Sequence, residues 1–268
     1  MTQIVHIAQK LLADLDGFRV EINATDARAD IVLERPPFNL ISMVQRDQLR
    51  AVFEVLDDDP TVRVIVVRAA GEHFSVGSDI DASSGGSPEH LSKLAWNMNA
   101  PSRCSKPVIA ATRGYCFGVG FELSLACDFR IATETTLYAL PAQNPGQLVG
   151  SGGPARLQKM VGAARTKDIV MRSRKIAGAH AYEWGIATEF VVDTDLEDMT
   201  DGLVRELVAC SPVAQRSAKK LLNDIEDASL SAAIEHEVRS FGRVRCSEDL
   251  YEAAGACGQM RRAPVNGK

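Results

Sequence analysis

The sequence predicts an α/β fold, with parallel strands joined by crossover helices, followed by a helical C-terminal region. Three observations carry that expectation. A strand, glycine turn, helix order recurs in VRVIVVRAAGEHFSVGSDI, in KPVIAATRGYCFGVGFELSLACD and in FRIATETTLYAL followed by PAQNPGQLVGSGGPARLQKMVG. The first of these strands is a continuous β-branched run, VRVIVV. From about residue 196 strand patterns stop, and helical patterns open at Ser211-Pro212, Ser229 and Ser247, each with a serine suited to capping a helix N-terminus.

Each element follows from its pattern. Ile4, Ala8, Leu11, Leu12 and Leu15 recur at helical spacing, so residues 1–17 read as a short helical extension. From Phe18, FRVEINATDARADIVLERPP gives two alternating strand-like runs around a polar turn and ends on the rigid Pro36-Pro37 pair. SMVQRDQLRAVFEVLDDDP reads as a helix closed by Pro60, with Met43, Leu49, Val52, Phe53 and Leu56 as its buried stripe. DASSGGSPEHLSK, at 81–93, is polar and glycine-rich and reads as a loop. The organisation is therefore an extension over 1–17, an α/β core over 18–195 and a helical region over 196–268.

Composition narrows the functional classes. With 268 residues, 46% of them hydrophobic, the chain is long enough to bury a sizeable core. A net charge of −5 without a basic stripe argues against nucleic acid as a partner. No apolar run approaches the ~20 residues of a membrane span. The six cysteines, Cys104, Cys116, Cys127, Cys210, Cys246 and Cys257, are scattered without CxxC pairs, which suits reduced core thiols of a cytoplasmic protein and offers no metal-ligand spacing.

Two turns place glycines where backbone N–H groups can face a cleft: Ser75-Val76-Gly77-Ser78 and Phe117-Gly118-Val119-Gly120. Two such donors aimed at one point stabilise a carbonyl oxygen as it becomes negative. Glycine also serves tight turns alone, so either loop by itself is ambiguous. No GxxxxGK[ST] phosphate loop and no GxGxxG spacing is present. Glu122 lies two positions beyond Gly120, in what is otherwise an apolar helical pattern. There the helix N-terminus favours a negative charge and apolar neighbours disfavour it.

HFSVGSDI at 73–80, KPVIAATRGYCFGVGFELSLACDFRIATE at 106–134, GSGGPARLQKMVG at 150–162 and AYEWGIATEFV at 181–191 together resemble the enoyl-CoA hydratase/isomerase (crotonase) superfamily, in order and over most of the chain. The resemblance implies a crotonase-like spiral of repeated ββα units with a C-terminal helical region that supports trimers or hexamers. It implies an acyl-CoA substrate and no metal or redox cofactor, coenzyme A entering only as part of the thioester. On the matching positions the oxyanion donors are the N–H groups of Ser78 and Val119, and Glu122 is the carboxylate that handles water or a proton. Ser75, Gly77, Asp79, Ile80, Gly118, Ala142, Gln143 and Arg261 fall on substrate-binding segments, with loop fixing an equal reading for Asp79 and a solvated helix end for Arg261. Two departures stand out. Val119 replaces a usual glycine, and Pro141-Ala142 stands where hydratases carry a second glutamate. Alanine moves no protons, and the nearby amides of Gln143, Asn144 and Gln147 orient groups without acting as acid or base. The expected function is a hydratase-type lyase. The alternatives are a CoA-ester hydrolase or double-bond isomerase on the same fold, or a non-catalytic acyl-CoA binder.

Overall fold

The computed structural model describes residues 14–79, 88–141 and 148–245. Of the helical extension predicted over 1–17, residues 1–13 lie outside the described residues and residues 14–17 are not helical; Ile80, Ala142, Gln143, Arg261 and the Ser247 cap also lie outside the described residues.

Strands β1 (Phe18–Asn23) and β2 (Arg28–Leu33) form an antiparallel hairpin in which Phe18 pairs with Leu33. Helix α1 (Met43–Asp58) opens on a capping box: the Ser42 hydroxyl accepts from the Gln45 N–H, and the Gln45 side chain accepts from the Ser42 N–H. Leu49, Val52, Phe53 and Leu56 form its buried stripe, as predicted. Met43 is only partly buried, and the first turn instead buries Gln45 and Arg46. Strand β3 (Val64–Ala69), helix α2 (Pro88–Met98) and the short helix α3 (Ala100–Arg103) follow.

The next two repeats each hold two strands where the local pattern suggested one and the resemblance implied two. Residues 106–128 give β4 (Val108–Ala111), β5 (Tyr115–Phe117) and helix α4 (Val119–Ala126). Residues 129–140 give β6 (Phe129–Thr133) and β7 (Leu137–Ala139), before helix α5 (Gly153–Met171), which is broken at Gly162 (φ 79°, ψ 167°). The chain turns between β4 and β5 at Gly114, whose φ is +55°; a Cβ there would stand 2.0 Å from the Glu72 carbonyl oxygen, so only glycine fits. Strand β8 (Ile176–Ala177), helix α6 (Gly178–Glu183), β9 (Glu189–Val191) and helices α7 (Leu196–Val208), α8 (Pro212–Ile225) and α9 (Leu230–Val244) complete the order.

The strands of each pair enter different sheets. One sheet has six strands in the order β1-β2-β3-β4-β6-β9, parallel except for β1, and the other has three in the order β5-β7-β8. The ββα repeats that the resemblance implies are present. Both faces of the larger sheet are covered, which is why β3 reads as a continuous apolar run. Ile65 and Val67 pack into the main core with Leu49, Phe53 and Phe121, whereas Val64 and Val66 pack with Ile109, Ile131, Leu196 and Val204 beneath α7. Helices α8 and α9, capped by Ser211 and Ser229 as predicted, contain no buried residue. Their hairpin is tied to the rest by Lys219, whose Nζ donates to the carbonyls of Pro101 and Lys106 and to Asp128 Oδ2.

Candidate active site

Main-chain hydrogen bonds bring the two glycine turns together. Ser75 forms a parallel bridge with Cys116, its N–H donating to the Tyr115 carbonyl at 3.0 Å and its carbonyl accepting from the Phe117 N–H at 2.8 Å. Ser75 is fully buried, its Oγ accepts from the Gly77 N–H at 3.2 Å, and a Cβ on Gly120 would lie 2.6 Å from the Ser75 Cβ. Its side chain therefore braces the turn from within, and Gly120 is glycine because helix α4 must pass over that serine. Gly77 and Gly118 meet directly: a Cβ built on Gly118 would stand 3.6 Å from the Gly77 Cα.

The outer side of the first turn is held by Phe38 and Ile41. The Gly77 carbonyl accepts from the Ile41 N–H at 2.9 Å, and the Asp79 N–H donates to the Ile41 carbonyl at 3.2 Å. In a parallel bridge of this kind, the N–H of the residue in between, Ser78, faces away from Ile41. Neither the Ser78 N–H nor the Val119 N–H has a hydrogen-bond partner among the described residues. Val119 is the first residue of α4, where a free N–H is the rule. Gly118 donates to the Ala139 carbonyl at 2.9 Å, which fixes the start of that helix against β7. Asp79 forms an ion pair with Arg35 at 3.8 Å. His73 stacks on Tyr115 with ring centroids 4.3 Å apart, and Cys116 is fully buried in the core.

Every residue of α4 is buried, Glu122 included, at 3% exposure. Its carboxylate is held at the start of α5, where Oε1 accepts from the Ser151 N–H at 2.7 Å and from the Gly153 N–H at 3.1 Å. No hydrogen bond to Oε2 is found among the described residues. Burial pushes the Glu122 pKa above the usual carboxylate range, against the pull of these two N–H groups and of the Arg46 and Arg156 charges. A buried carboxyl tethered by one oxygen and free at the other is equipped to exchange a proton with a bound molecule.

Sequence reading missed the groups around this carboxylate. Ser151 and Gly153 lie in the GSGG segment noted as a motif, but nothing in it signalled that their N–H groups meet Glu122. Arg46 occupies a core position of the α1 stripe, three residues before Leu49, and a charge at such a position is itself a signal. Two surface clefts lie elsewhere, one along α7 between Glu189 and Glu206, the other between α3 and α8. Among the described residues no group of three or more His, Cys, Asp or Glu side chains is arranged to hold a metal ion, and no helix is long and apolar enough to cross a membrane.

Comparison with known proteins gives a consistent result. Residues 24–258 match the enoyl-CoA hydratase/isomerase family. The carnitinyl-CoA dehydratase of Salmonella arizonae is 33% identical over 246 residues, covering 87% of this chain and 92% of the relative. That of Proteus mirabilis is 31% identical over 247 residues, covering 89% and 95%. The crystal structure of an enoyl-CoA hydratase from Bacillus anthracis superposes with a TM-score of 0.88 at 27% identity, covering 94% of this chain and all of that one.

Proposed function

Since the chain belongs to the enoyl-CoA hydratase/isomerase family of acyl-CoA-transforming enzymes, we propose that it is a hydratase-type lyase that adds water across the 2,3-double bond of an enoyl-CoA thioester. The observation that carries this reading is the placement of Glu122, buried and with Oε2 unengaged among the described residues, on the helix whose first N–H is one of two donors without a partner among them. In the proposed reaction the thioester oxygen lies between the Ser78 and Val119 N–H groups. Glu122 takes a proton from water, and the hydroxide oxygen bonds to C3. The π electrons move onto the thioester as an enolate, whose charge the two N–H groups stabilise. The proton on Glu122 then passes to C2, which restores the carboxylate and completes the addition with one acid/base group. No metal or redox group enters this sequence. Ala142 in place of a second carboxylate is consistent with one group serving both transfers.

The proposed assembly is a homotrimer or hexamer. Leu230, Ile234, Val238 and Phe241 run along one side of α9 at helical spacing, each at least half exposed, and Leu222 of α8 is 64% exposed. An apolar stripe of this length on a helix without buried residues suits a second copy of the chain.

Incubation with crotonyl-CoA tests the reaction: the conjugated thioester absorbance falls with wild type and is at least ~10²-fold slower with Glu122→Gln, while CoA-ester affinity is retained. Release of free thiol would instead identify a hydrolase. Absence of turnover with any enoyl thioester, binding intact, would identify a non-catalytic binder.

A further inference from the structure

Among the described residues, several enclosed cations are engaged by carbonyls or carboxylates. Lys106, 1% exposed, donates to the Leu56 and Asp59 carbonyls. Arg130, 3% exposed, donates to the carbonyls of Ile186, Ser124 and Cys127 and so closes the C-terminus of α4. Arg28 pairs with Asp30 at 2.6 Å. Arg46 is 6% exposed, yet among the described residues its guanidinium makes one hydrogen bond, from Nη2 to the Ser78 hydroxyl at 2.6 Å. Among the described residues its Nε is enclosed without a partner, and no carboxylate forms an ion pair with it.

The location of this under-satisfied cation matters. It is bonded to the side chain of the residue whose N–H is a proposed oxyanion donor, and its charge acts on Glu122. Arg156, partly buried, acts on Glu122 as well and gives its Nη2 to the Ser102 hydroxyl at 3.2 Å. The candidate site thus holds two guanidinium groups and one carboxylate. Buried charge of one sign without a partner is unfavourable, and the deficit is relieved when a ligand brings the missing charge.

We propose that Arg46 is a specificity-determining residue that binds a carboxylate on the acyl group, so that the substrate class is a dicarboxylic acyl-CoA thioester. This rests on the site assignment above but not on the hydration step. The fork of an arginine side chain matches a carboxylate, and one Arg46 edge is already anchored by Ser78, which orients the rest. An uncharged acyl chain leaves the guanidinium unpaired, so the site discriminates against it.

Calorimetric titration of the purified protein with adipyl-CoA and hexanoyl-CoA tests the inference. The two are saturated C6 thioesters that cannot undergo hydration and differ in one terminal carboxylate. Wild type is expected to bind adipyl-CoA at least about tenfold more tightly. Arg46→Met is expected to lose at least about 30-fold toward adipyl-CoA while hexanoyl-CoA changes by less than about threefold, and Arg46→Lys to keep part of the preference. Equal binding of the two thioesters by wild type, or parallel loss of both in Arg46→Met, would overturn the proposal; the latter would leave Arg46 a positioning residue for Ser78. Should Arg46→Met fail to fold, the wild-type ratio and Arg46→Lys decide alone. A protein that prefers adipyl-CoA but hydrates no enoyl thioester would refute the proposed reaction and leave this inference standing.

Discussion

Replacing Gly153 with alanine would displace the Glu122 carboxylate without touching Glu122 itself. A Cβ at Gly153 would lie 2.9 Å from the Glu122 Cγ, 3.2 Å from its Oε1 and 3.3 Å from the Leu140 Cδ1. Ordinary contact begins near 3.4 Å, so the Glu122 Cγ must retreat by roughly 0.5 Å. Because the carboxylate lies further along the side chain, its oxygens move more, by about 1 Å, a misplacement that costs about 10²-fold in rate where orientation governs catalysis. The fold should tolerate the change. Gly153 does not have a left-handed backbone and begins a helix, so the gain in helix propensity, up to ~1 kcal/mol, offsets part of an overpacking cost of about 1–3 kcal/mol. Gly150→Ala is the control, since a Cβ there meets nothing within 4 Å among the described residues. Steady-state hydration of crotonyl-CoA with a thermal melt on the same preparations measures both quantities. A folded Gly153→Ala protein with kcat within about threefold of wild type would refute the view that the start of α5 sets the working position of this carboxylate.

Two other predictions follow from the same structure. The Glu122 pKa is raised by burial, so the native protein binds a proton more tightly than the unfolded chain. The resulting contribution favours folding at low pH and is lost as pH rises through the raised pKa. Glu122→Gln should therefore melt above wild type at pH 7, with the difference shrinking as pH falls toward the ordinary carboxylate range; a melting difference independent of pH would contradict this. A charge placed in the α9 stripe by Ile234→Glu should dissociate the proposed oligomer, read as a fall in mass by sedimentation with the circular dichroism unchanged, whereas an unaltered mass would move the interface elsewhere.

The sequence was most informative where local pattern and tertiary packing agree. The α1 stripe of Leu49, Val52, Phe53 and Leu56 and the caps Ser211 and Ser229 were legible because each feature is set within a few residues. The local pattern did not give the strand count, which only the resemblance implied. Thr112 to Gly114 and Glu134 to Thr136 look like strand continuations, and only the sheets themselves show that β4 and β5, or β6 and β7, diverge. The break of α5 at Gly162 was likewise hidden inside a helical pattern. At the candidate site, the contact between the two glycine turns and the position of Glu122 were expected from the family resemblance. The role of Ser75 as an internal brace, the hold of Ser151 and Gly153 on Glu122 and the lone guanidinium of Arg46 were not. These contacts span 29 and 31 residues between Glu122 and its donors and 32 between Arg46 and Ser78, separations over which local pattern carries no information.

The close approach of Gly77 and Gly118 has a consequence for how this enzyme can diverge. Since both proposed donors are amide groups, every amino acid except proline keeps them at positions 78 and 119, and a library that samples only those side chains would not delete them. Sensitivity should appear instead one residue upstream, at φ +121° and φ +51°, where any Cβ strains the turn that aims the amide. Under the proposed reaction, charge stabilisation is in this way stored in chain path, leaving the side chains facing the acyl group free to change the substrate.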